Sequence, residues 1–214
     1  MIDRTEFILA NTRLLTPPLV PEIRLHLAEE SLPIWRKTEE ELGEMGLPPP
    51  YWAFAWAGGQ ALARFVLDNP NLIAGRTVID IGAGSGLGAI AAAKSGAASV
   101  IASDIDAIAV SAMSLNATAN GVTIAATTDD WLAGAAPSAE VVLVGDLFYE
   151  RALADLVMAF VRAAAARGSV VLVGDPRRNY FPPDAFTAVA QYEVPVTREL
   201  EDAEIKRAAV WQLR

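Results

Sequence analysis

The segment TVIDIGAGSGLGAIAAAKSG, residues 77–96, carries the strongest structural signal in this chain. Its apolar run Val78–Ile81 ends at a turn in which every second residue is glycine, and an alanine-rich segment of helical character follows directly. Glycine is needed where the backbone turns with positive φ or must approach a ligand closely. Open α/β sheets bind ligands at the carboxyl ends of their strands, next to such turns. We therefore predict that Gly82, Gly84 and Gly86 form a ligand-binding turn at the edge of a sheet.

Short apolar runs continue to alternate with helix-like segments along the rest of the chain. The two VVLVG runs, at 141–145 and 170–174, are apolar throughout, as is typical of strands buried on both faces of a parallel sheet. Strands are predicted over residues 78–81, 99–103, 122–126, 141–145, 170–174, 192–196 and 206–213. Helices are predicted over residues 59–67, 87–94, 107–120 and 151–166, with a short one over 186–190. This alternation predicts a Rossmann-like, doubly wound α/β fold with a seven-stranded, mostly parallel sheet. The last two strands have no long helix between them, so we expect them to form an antiparallel hairpin.

The N-terminal quarter of the chain has a different pattern. Residues 3–14 and 31–46 are predicted as helices, and residues 22–28 alternate polar and apolar side chains as an edge strand does. Three consecutive prolines at 48–50 then force an extended segment. We expect residues 1–56 to be a small extension packed on a core domain formed by residues 57–214.

Composition excludes several classes of site and partner. Among the 214 residues there is no cysteine and one histidine, His26, which excludes disulfides, thiolate metal sites and multi-histidine metal sites. No metal site is evident, and His26 is interpreted as a structural or surface residue. The net charge of −9 disfavours a nucleic-acid substrate and suits a basic partner, such as a lysine-bearing protein. No apolar run is long enough to span a membrane, and the acid-bearing start does not resemble a signal peptide, so we expect a cytoplasmic protein.

An acidic residue follows the next predicted strand, where a sugar-binding carboxylate is expected. In the segment VIASDID, residues 100–106, Asp104 lies about twenty residues after the glycine turn, and its oxygens can accept hydrogen bonds from ribose hydroxyls. Asp106 is interpreted as the cap of the helix that follows. Residues 84–89 also satisfy the G-x-G-x-x-[GA] form of dinucleotide-binding turns. The turn alone therefore leaves a nicotinamide-dependent oxidoreductase open.

Asp80, two residues before the turn, favours a different nucleoside-binding enzyme, because a dehydrogenase strand is usually apolar there. With this acid-x-Gly-x-Gly-x-Gly turn, the chain resembles class I S-adenosylmethionine-dependent methyltransferases. The resemblance implies that Asp80 and the three turn glycines contact the cofactor, and that Asp104 binds its ribose. It also implies that Asp130 bonds the adenine amino group and that Trp131 packs on the ring. A turn acid and a core tryptophan are the alternative for that pair.

Two further segments are more specific than the glycine turn. These are LPPPYWAFAWAGGQALARFVLD, residues 47–68, and VVLVGDLFYE, residues 141–150, which ends in a D-x-x-Y motif. Together they resemble the seven-strand protein-lysine methyltransferases, most closely the branch that modifies the electron transfer flavoprotein β-subunit. Residues 22–43 resemble the same branch. The resemblance implies methyl transfer from S-adenosylmethionine to lysine side chains of that subunit, with a ribosomal protein as a second candidate substrate.

The D-x-x-Y motif supplies the candidate catalytic residues, Asp146 and Tyr149. Methyl transfer from a sulfonium is an in-line displacement, so the enzyme must align the amine and exclude water. Presenting a lysine as the neutral amine at neutral pH costs about 4 kcal/mol. Asp146 is predicted to capture and align the incoming ammonium, and Tyr149 to contact the amine or position Asp146. Because a carboxylate raises the pKa of an amine, Asp146 cannot be the only residue that tunes it. The alternative is that Asp146 caps the helix predicted at 151–166.

The remaining site predictions concern aromatic and basic side chains. Trp52 and Phe148 are predicted walls of a partly dry slot for the substrate lysine, which would disfavour the ammonium form. Trp56 resembles the residue that contacts the methionine end of the cofactor. Arg177, with its neighbour Arg178, is predicted to contact an acidic part of a protein substrate. The alternatives are core packing for the aromatic residues and a solvated loop for the arginines.

Three other functions remain open from the sequence. A small-molecule N-methyltransferase of the nicotinamide type would use the same fold, and the oxidoreductase and an inactive cofactor-binding module are the others. We expect a monomer with a protein substrate, with neither nucleic acid nor membrane as a partner.

Overall fold

A computed structural model describes residues 3–28, 48–196 and 204–214. Its N-terminal part contains helix α1 (Arg4–Asn11) and strands β1 (Arg13–Leu15) and β2 (Leu25–Leu27), which pair as an antiparallel hairpin. The helices that follow are α2 (Ala57–Asp68), α3 (Leu87–Lys94), α4 (Ala107–Ala119) and α5 (Arg151–Ala166). The strands that follow are β3 (Thr77–Ile81), β4 (Ser99–Ser103), β5 (Ala125–Thr127), β6 (Val141–Gly145), β7 (Val170–Asp175), β8 (Phe186–Pro195) and β9 (Ile205–Leu213). The helix predicted at 31–46 lies outside the described residues.

The central sheet has seven strands in the order β5-β4-β3-β6-β7-β9-β8. Strands β3 to β7 are parallel to one another. Strand β9 pairs antiparallel with β7, and β8 pairs antiparallel with β9, so β8 and β9 form a C-terminal hairpin. The predicted doubly wound α/β fold with an antiparallel hairpin is therefore confirmed. From β3 the chain adds strands in one direction, and from β6 in the other, so a crevice opens at the carboxyl ends of β3 and β6. Open α/β sheets bind ligands at such a point.

The short helix predicted at 186–190 is wrong, because these residues begin strand β8. This segment carries the β-branched residues Thr187 and Val189, which favour an extended backbone, and both are exposed on the sheet's edge strand. Strand β8 pairs with β9 along its whole length, with a bulge between Ala188 and Ala190. The strand predicted at 122–126 is also displaced, since β5 covers Ala125–Thr127.

Apolar side chains on both faces of the sheet hold the layers together. On one face, Leu62 of α2 and Ile90 of α3 belong to one buried cluster with Ile8, Ile23 and Leu25 of the N-terminal part. On the other face, a second cluster joins α5 to the sheet and to the C-terminal hairpin. The N-terminal residues therefore share the core of the main sheet.

Candidate active site

A cavity of about 550 Å³ opens at the carboxyl ends of β3, β4 and β6. Volumes of this size suit a cofactor or a drug-sized ligand. Its wall includes, among others, the glycine turn, the end of β4, the loop after β5 and the start of the loop after β6. Members of each that line it are Gly82, Gly84, Asp104, Asp130, Trp131, Asp146 and Tyr149.

The glycine turn adopts a backbone that other residues rarely take. Gly82, Gly84 and Gly86 have φ values of 58°, 52° and 79°. A Cβ atom at Gly82 would lie 2.7 Å from a methyl carbon of Leu147, so the turn also needs glycine for space. Gly82 and Gly84 line the cavity, whereas Gly86 does not, and a Cβ atom at Gly86 would lie 3.2 Å from the side chain of Met113 on α4.

Asp104 connects the glycine turn to the end of β4. Its Oδ2 accepts a hydrogen bond of 2.9 Å from the N–H of Gly84, and its Oδ1 accepts one of 2.9 Å from the N–H of Asp106. Burial raises the pKa of this carboxyl above its usual range. Asp106 caps α4, since its Oδ1 accepts a 2.7 Å hydrogen bond from the N–H of Ile108. A carboxylate held in this way keeps a fixed orientation at the cavity wall.

Asp80 lies deeper, behind the glycine turn. Its side chain is buried and accepts a hydrogen bond of 2.8 Å from the N–H of Ala89, in the first turn of α3. Burial and the nearby charge of Asp104 raise the pKa of Asp80 to about 7. Asp80 lines a smaller cavity of about 60 Å³ that shares Gly82, Gly84 and Asp146 with the large one. Its observed contact therefore holds the start of α3 against the turn.

Asp146 follows the last residue of β6 and has a left-handed backbone, with φ of 54°. Its side chain is 8% exposed. Oδ2 accepts a hydrogen bond of 2.7 Å from the N–H of Gly59, in the first turn of α2, where unpaired N–H groups and the helix dipole favour an anion. The alternative that Asp146 caps α5 is not supported, because the N-cap of that helix is Glu150 and no side chain forms a capping hydrogen bond there.

Arg178, which the sequence analysis named only beside Arg177 as a contact for a protein substrate, instead pairs with Asp146. Its Nε and Nη2 lie 2.9 and 2.8 Å from Oδ1 of Asp146, and its guanidinium lies over the ring of Trp56, 5.5 Å from the centroid. Arg177, the predicted residue, is exposed and stacks on Trp211 instead, outside the lining of the cavity. A positive φ of 64° at Arg177 turns the two side chains to different sides. The available signal was the buried carboxylate of Asp146, which needs a cation nearby.

The aromatic residues of the segment 47–68 meet the D-x-x-Y motif at the mouth of the cavity. Tyr51 and Tyr149 have ring centroids 5.7 Å apart, and Trp56 donates a hydrogen bond of 2.9 Å from Nε1 to the carbonyl oxygen of Tyr51. Tyr149 remains 43% exposed, and burial of its hydroxyl raises its pKa. Trp52 is buried, and part of it lines the cavity.

Phe148 lies elsewhere. Its side chain is fully buried in an aromatic cluster, with centroids 5.2 Å from Phe181 and 6.2 Å from Phe186. It does not belong to the cavity lining, so this structure does not bring it to the predicted substrate slot. In D-x-x-Y the tyrosine faces the cavity while the residue before it anchors the loop in the core.

Asp130 and Trp131 lie on the wall near the loop after β5. Oδ1 of Asp130 accepts hydrogen bonds from the N–H groups of Leu132 and Ala133, at 3.0 and 3.1 Å, so the residue shapes a turn. Trp131 is 5% exposed. Both features of the alternative interpretation are thus present, and both residues also face the cavity.

The residues present fit a nucleoside-containing methyl donor. Gly84 carries no side chain, and its N–H donates a hydrogen bond to the carboxylate of Asp104. The cavity of about 550 Å³ has room for a nucleoside-sized ligand. Across residues 3–28, 48–196 and 204–214 no group of three or more histidine or acidic side chains is placed to hold a metal ion. No helix in the described part of the chain is long and apolar enough to cross a membrane.

Comparison with known proteins identifies related sequences. The ribosomal protein L11 methyltransferase family (PrmA) matches residues 61–174. The electron transfer flavoprotein beta subunit lysine methyltransferase of Danio rerio is 36% identical over 98% of this chain and 83% of its own length. The Xenopus laevis protein of the same name is 38% identical over 96% of this chain and 85% of its own length. The Homo sapiens protein is 32% identical over 90% and 75%.

Solved structures share the fold. A ribosomal protein L11 methylase from Lactobacillus delbrueckii subsp. bulgaricus has a TM-score of 0.52 at 22% identity, with coverage of 75% of this chain and 81% of that one. A magnesium protoporphyrin IX methyltransferase from Synechocystis PCC 6803, solved with bound S-adenosylmethionine, has a TM-score of 0.52 at 18% identity, with coverage of 73% and 78%.

Proposed function

The chain belongs to the family of electron transfer flavoprotein β-subunit lysine methyltransferases, and on this premise we propose that the β-subunit of that flavoprotein is its substrate. It is an S-adenosylmethionine-dependent methyltransferase that acts on protein lysines. The relatives that carry this name align with nearly the whole chain, which supports the same substrate class. The match to the ribosomal protein L11 methyltransferase family supports a ribosomal protein as the second candidate. A small-molecule substrate is not favoured.

The cofactor would lie along the glycine turn. The backbone of Gly82 and Gly84, which carries no side chain, can approach the cofactor closely. The carboxylate of Asp104 is held where it can accept hydrogen bonds from sugar hydroxyls. Asp130 and Trp131 are our candidates for the base, and Trp56 for the methionine end. When bound, the cofactor supplies an electrophilic methyl group on a sulfonium.

The substrate amine would enter beside Asp146 and Tyr149. The single observation that carries this assignment is the carboxylate of Asp146 on the cavity wall, fixed by the N–H of Gly59 at 2.7 Å. A fixed carboxylate can align an amine for in-line attack. The ring of Tyr149, packed near Tyr51, can exclude water from one side and offer its hydroxyl to the amine. Trp52 would complete the wall.

The test replaces Asp146 by asparagine or alanine. We expect methyl transfer to the purified electron transfer flavoprotein β-subunit to fall by about 100-fold or more. Affinity for S-adenosylhomocysteine, measured by calorimetry, should stay within about threefold of wild type, because Asp146 is assigned to the amine. Mass spectrometry of the β-subunit, read in steps of one methyl group, reports the transfer.

Asp155→Asn is the matched control, since this carboxylate is exposed on α5. Wild-type turnover in the Asp146 variants would remove Asp146 from the mechanism. Label from the cofactor that appears only in small molecules, when wild-type enzyme is added to cell extract, would contradict the protein substrate.

The finer assignments belong to the same proposal. We propose that the protein acts as a monomer in the cytoplasm, on a protein substrate and without nucleic acid. Sedimentation of the purified chain tests whether it is a monomer, and fractionation of cells that express it tests whether it is cytoplasmic. The acidic net charge of −9 supports a lysine-rich partner.

A further inference from the structure

The charged side chains that line the cavity are mainly acidic. Apart from Asp146, four aspartates contribute to the wall: Asp104, Asp106, Asp129 and Asp130. Among the described residues that line it, Arg178 is the only basic side chain. A lysine that enters so acidic a cavity would be held as the ammonium, because each carboxylate favours the charged form of a nearby amine. The ammonium has no lone pair for attack on a methyl group.

Arg178 is held beside Asp146 by contacts with three residues. Its guanidinium donates to Oδ1 of Asp146 from Nε and Nη2, at 2.9 and 2.8 Å, and it lies over the ring of Trp56. Its backbone N–H donates a hydrogen bond of 2.7 Å to Oδ1 of Asp175 at the end of β7. Its side chain is 18% exposed. These contacts hold the positive charge of Arg178 directly beside the carboxylate of Asp146.

We propose that Arg178 is a positioning residue that neutralises Asp146, so that the substrate lysine is bound as the neutral amine. The inference rests on the proposed function, because it needs a lysine amine next to Asp146. Oδ1 of Asp146 accepts hydrogen bonds from the guanidinium, while Oδ2 accepts one from the N–H of Gly59 at the start of α2. The pair carries no net charge, so it can orient an amine without raising the amine's pKa as an isolated carboxylate would. An arginine side chain is not deprotonated in proteins, so the guanidinium keeps its charge throughout.

Other titratable groups face the same space. Asp80 is the last residue but one of β3, Asp104 follows the last residue of β4, and Tyr51 and Tyr149 lie at the mouth. Asp175 at the end of β7 is fully buried, and burial together with the charge of Asp146 raises its pKa to about 7. Asp175 therefore titrates within the range of any activity profile. The pH dependence of methyl transfer must therefore be compared between Arg178 variants and wild type, first with Asp175 present and then in an Asp175→Asn background.

The experiment measures single-turnover methyl transfer to the electron transfer flavoprotein β-subunit as a function of pH. The rate rises with pH through the pKa of the amine in the complex, because only the neutral amine reacts. In Arg178→Gln and Arg178→Met we expect the midpoint of this rise to move upward by about one pH unit, so that the rate below both midpoints falls about tenfold. Arg178→Lys retains the charge and should keep the midpoint near that of wild type.

Controls separate this effect from a structural one. Arg162→Gln removes an exposed arginine on α5 and should leave the profile unchanged. Equal midpoints, within about 0.3 units, in wild type and both charge-removing variants would overturn the inference, even if the rates fall uniformly. If neither variant folds, the wild-type midpoint decides, since a value above that of a free lysine, about 10.4, would overturn it. No transfer by wild type at any pH would instead contradict the proposed function.

Discussion

At the scale of single residues, buried acids decide how this protein responds to pH. The carboxyl of Asp80 has a pKa of about 7 in the folded chain, because burial penalises its charged form. In the unfolded chain it ionises near its ordinary value of 3.8. Between these values the folded state binds more protons than the unfolded state, so the contribution of Asp80 to stability is lost as pH rises. Above about pH 7 the loss is complete.

Asp80→Asn tests this sign. The amide oxygen can still accept the N–H of Ala89, but it carries no titrating group. We expect wild type to lose stability relative to the variant by up to about 1.4 kcal/mol per pH unit between pH 4 and pH 7, and the difference to level off above. Urea unfolding at a series of pH values measures it, with Asp155→Asn as control. Parallel stability curves for wild type and Asp80→Asn would contradict the expectation.

The sequence pointed to several residues that line the cavity because they stand in motifs. Asp146 and Tyr149 follow from D-x-x-Y, and Asp104 from its distance after the glycine turn. The pairing of Arg178 with Asp146 could not be found in this way, since it depends on a loop that brings Arg178 back over the end of β6. Phe148 shows the opposite limit, because a sequence pattern does not say which of two adjacent aromatic residues turns inward.

At the scale of elements, the start of α2 is fitted closely against the ends of β6 and β7. A Cβ atom at Gly58 would lie 2.6 Å from Oδ2 of Asp146 and would also collide with the carbonyl oxygen of Gly174. A Cβ atom at Gly59, the next residue, would meet nothing within 4 Å. The two glycines of the G-G pair therefore have different roles, and each can be tested against the other.

Gly58→Ala should lower the free energy of unfolding by about 3 kcal/mol, because the helix must move away from the strands. Gly59→Ala should leave it equal or raise it by about 0.5–1 kcal/mol, because alanine favours a helix more than glycine does. Denaturant unfolding of both variants measures the difference. Equal destabilisation by the two substitutions would show that the close approach of α2 does not limit stability.

Elements with a strong apolar signal were predicted with accurate bounds. Helix α5 and strand β6 match their predicted ranges, since an amphipathic helix and a wholly apolar strand differ clearly in pattern. Residues 186–190 were mistaken for a helix because small residues there give no clear period. Their state is decided by pairing with β9, which lies far along the chain.

At the scale of the whole molecule, Asn116 connects the N-terminal part to the glycine turn. This fully buried residue of α4 accepts a hydrogen bond of 2.7 Å from the N–H of His26 and donates one of 2.8 Å to the carbonyl oxygen of Ser85. The side-chain amide of Asn116 thus links the hairpin of β1 and β2 to the glycine turn. The division into an extension, residues 1–56, and a methyltransferase domain, residues 57–214, remains our proposal.

Asn116→Ala should uncouple the two regions. It leaves the buried carbonyl of Ser85 and the part-buried N–H of His26 without this partner, which costs about 2–4 kcal/mol of stability, and it frees Ser85 within the turn. We expect weaker binding of S-adenosylhomocysteine as well, by calorimetry. Ser114→Ala, at an exposed position of the same helix, is the control. Unchanged affinity in a destabilised Asn116→Ala variant would mean that the turn holds its shape without this amide.

The left-handed backbone at Asp146 also limits what evolution can do with this position. Only glycine, asparagine and a few other residues tolerate such a φ, whereas β-branched side chains do not. Under the proposed role of Asp146, a lineage that replaced this carboxylate by asparagine would keep the backbone conformation and lose methyl transfer. On that proposal, a protein that binds the methyl donor without transferring the methyl group is one substitution away from this sequence.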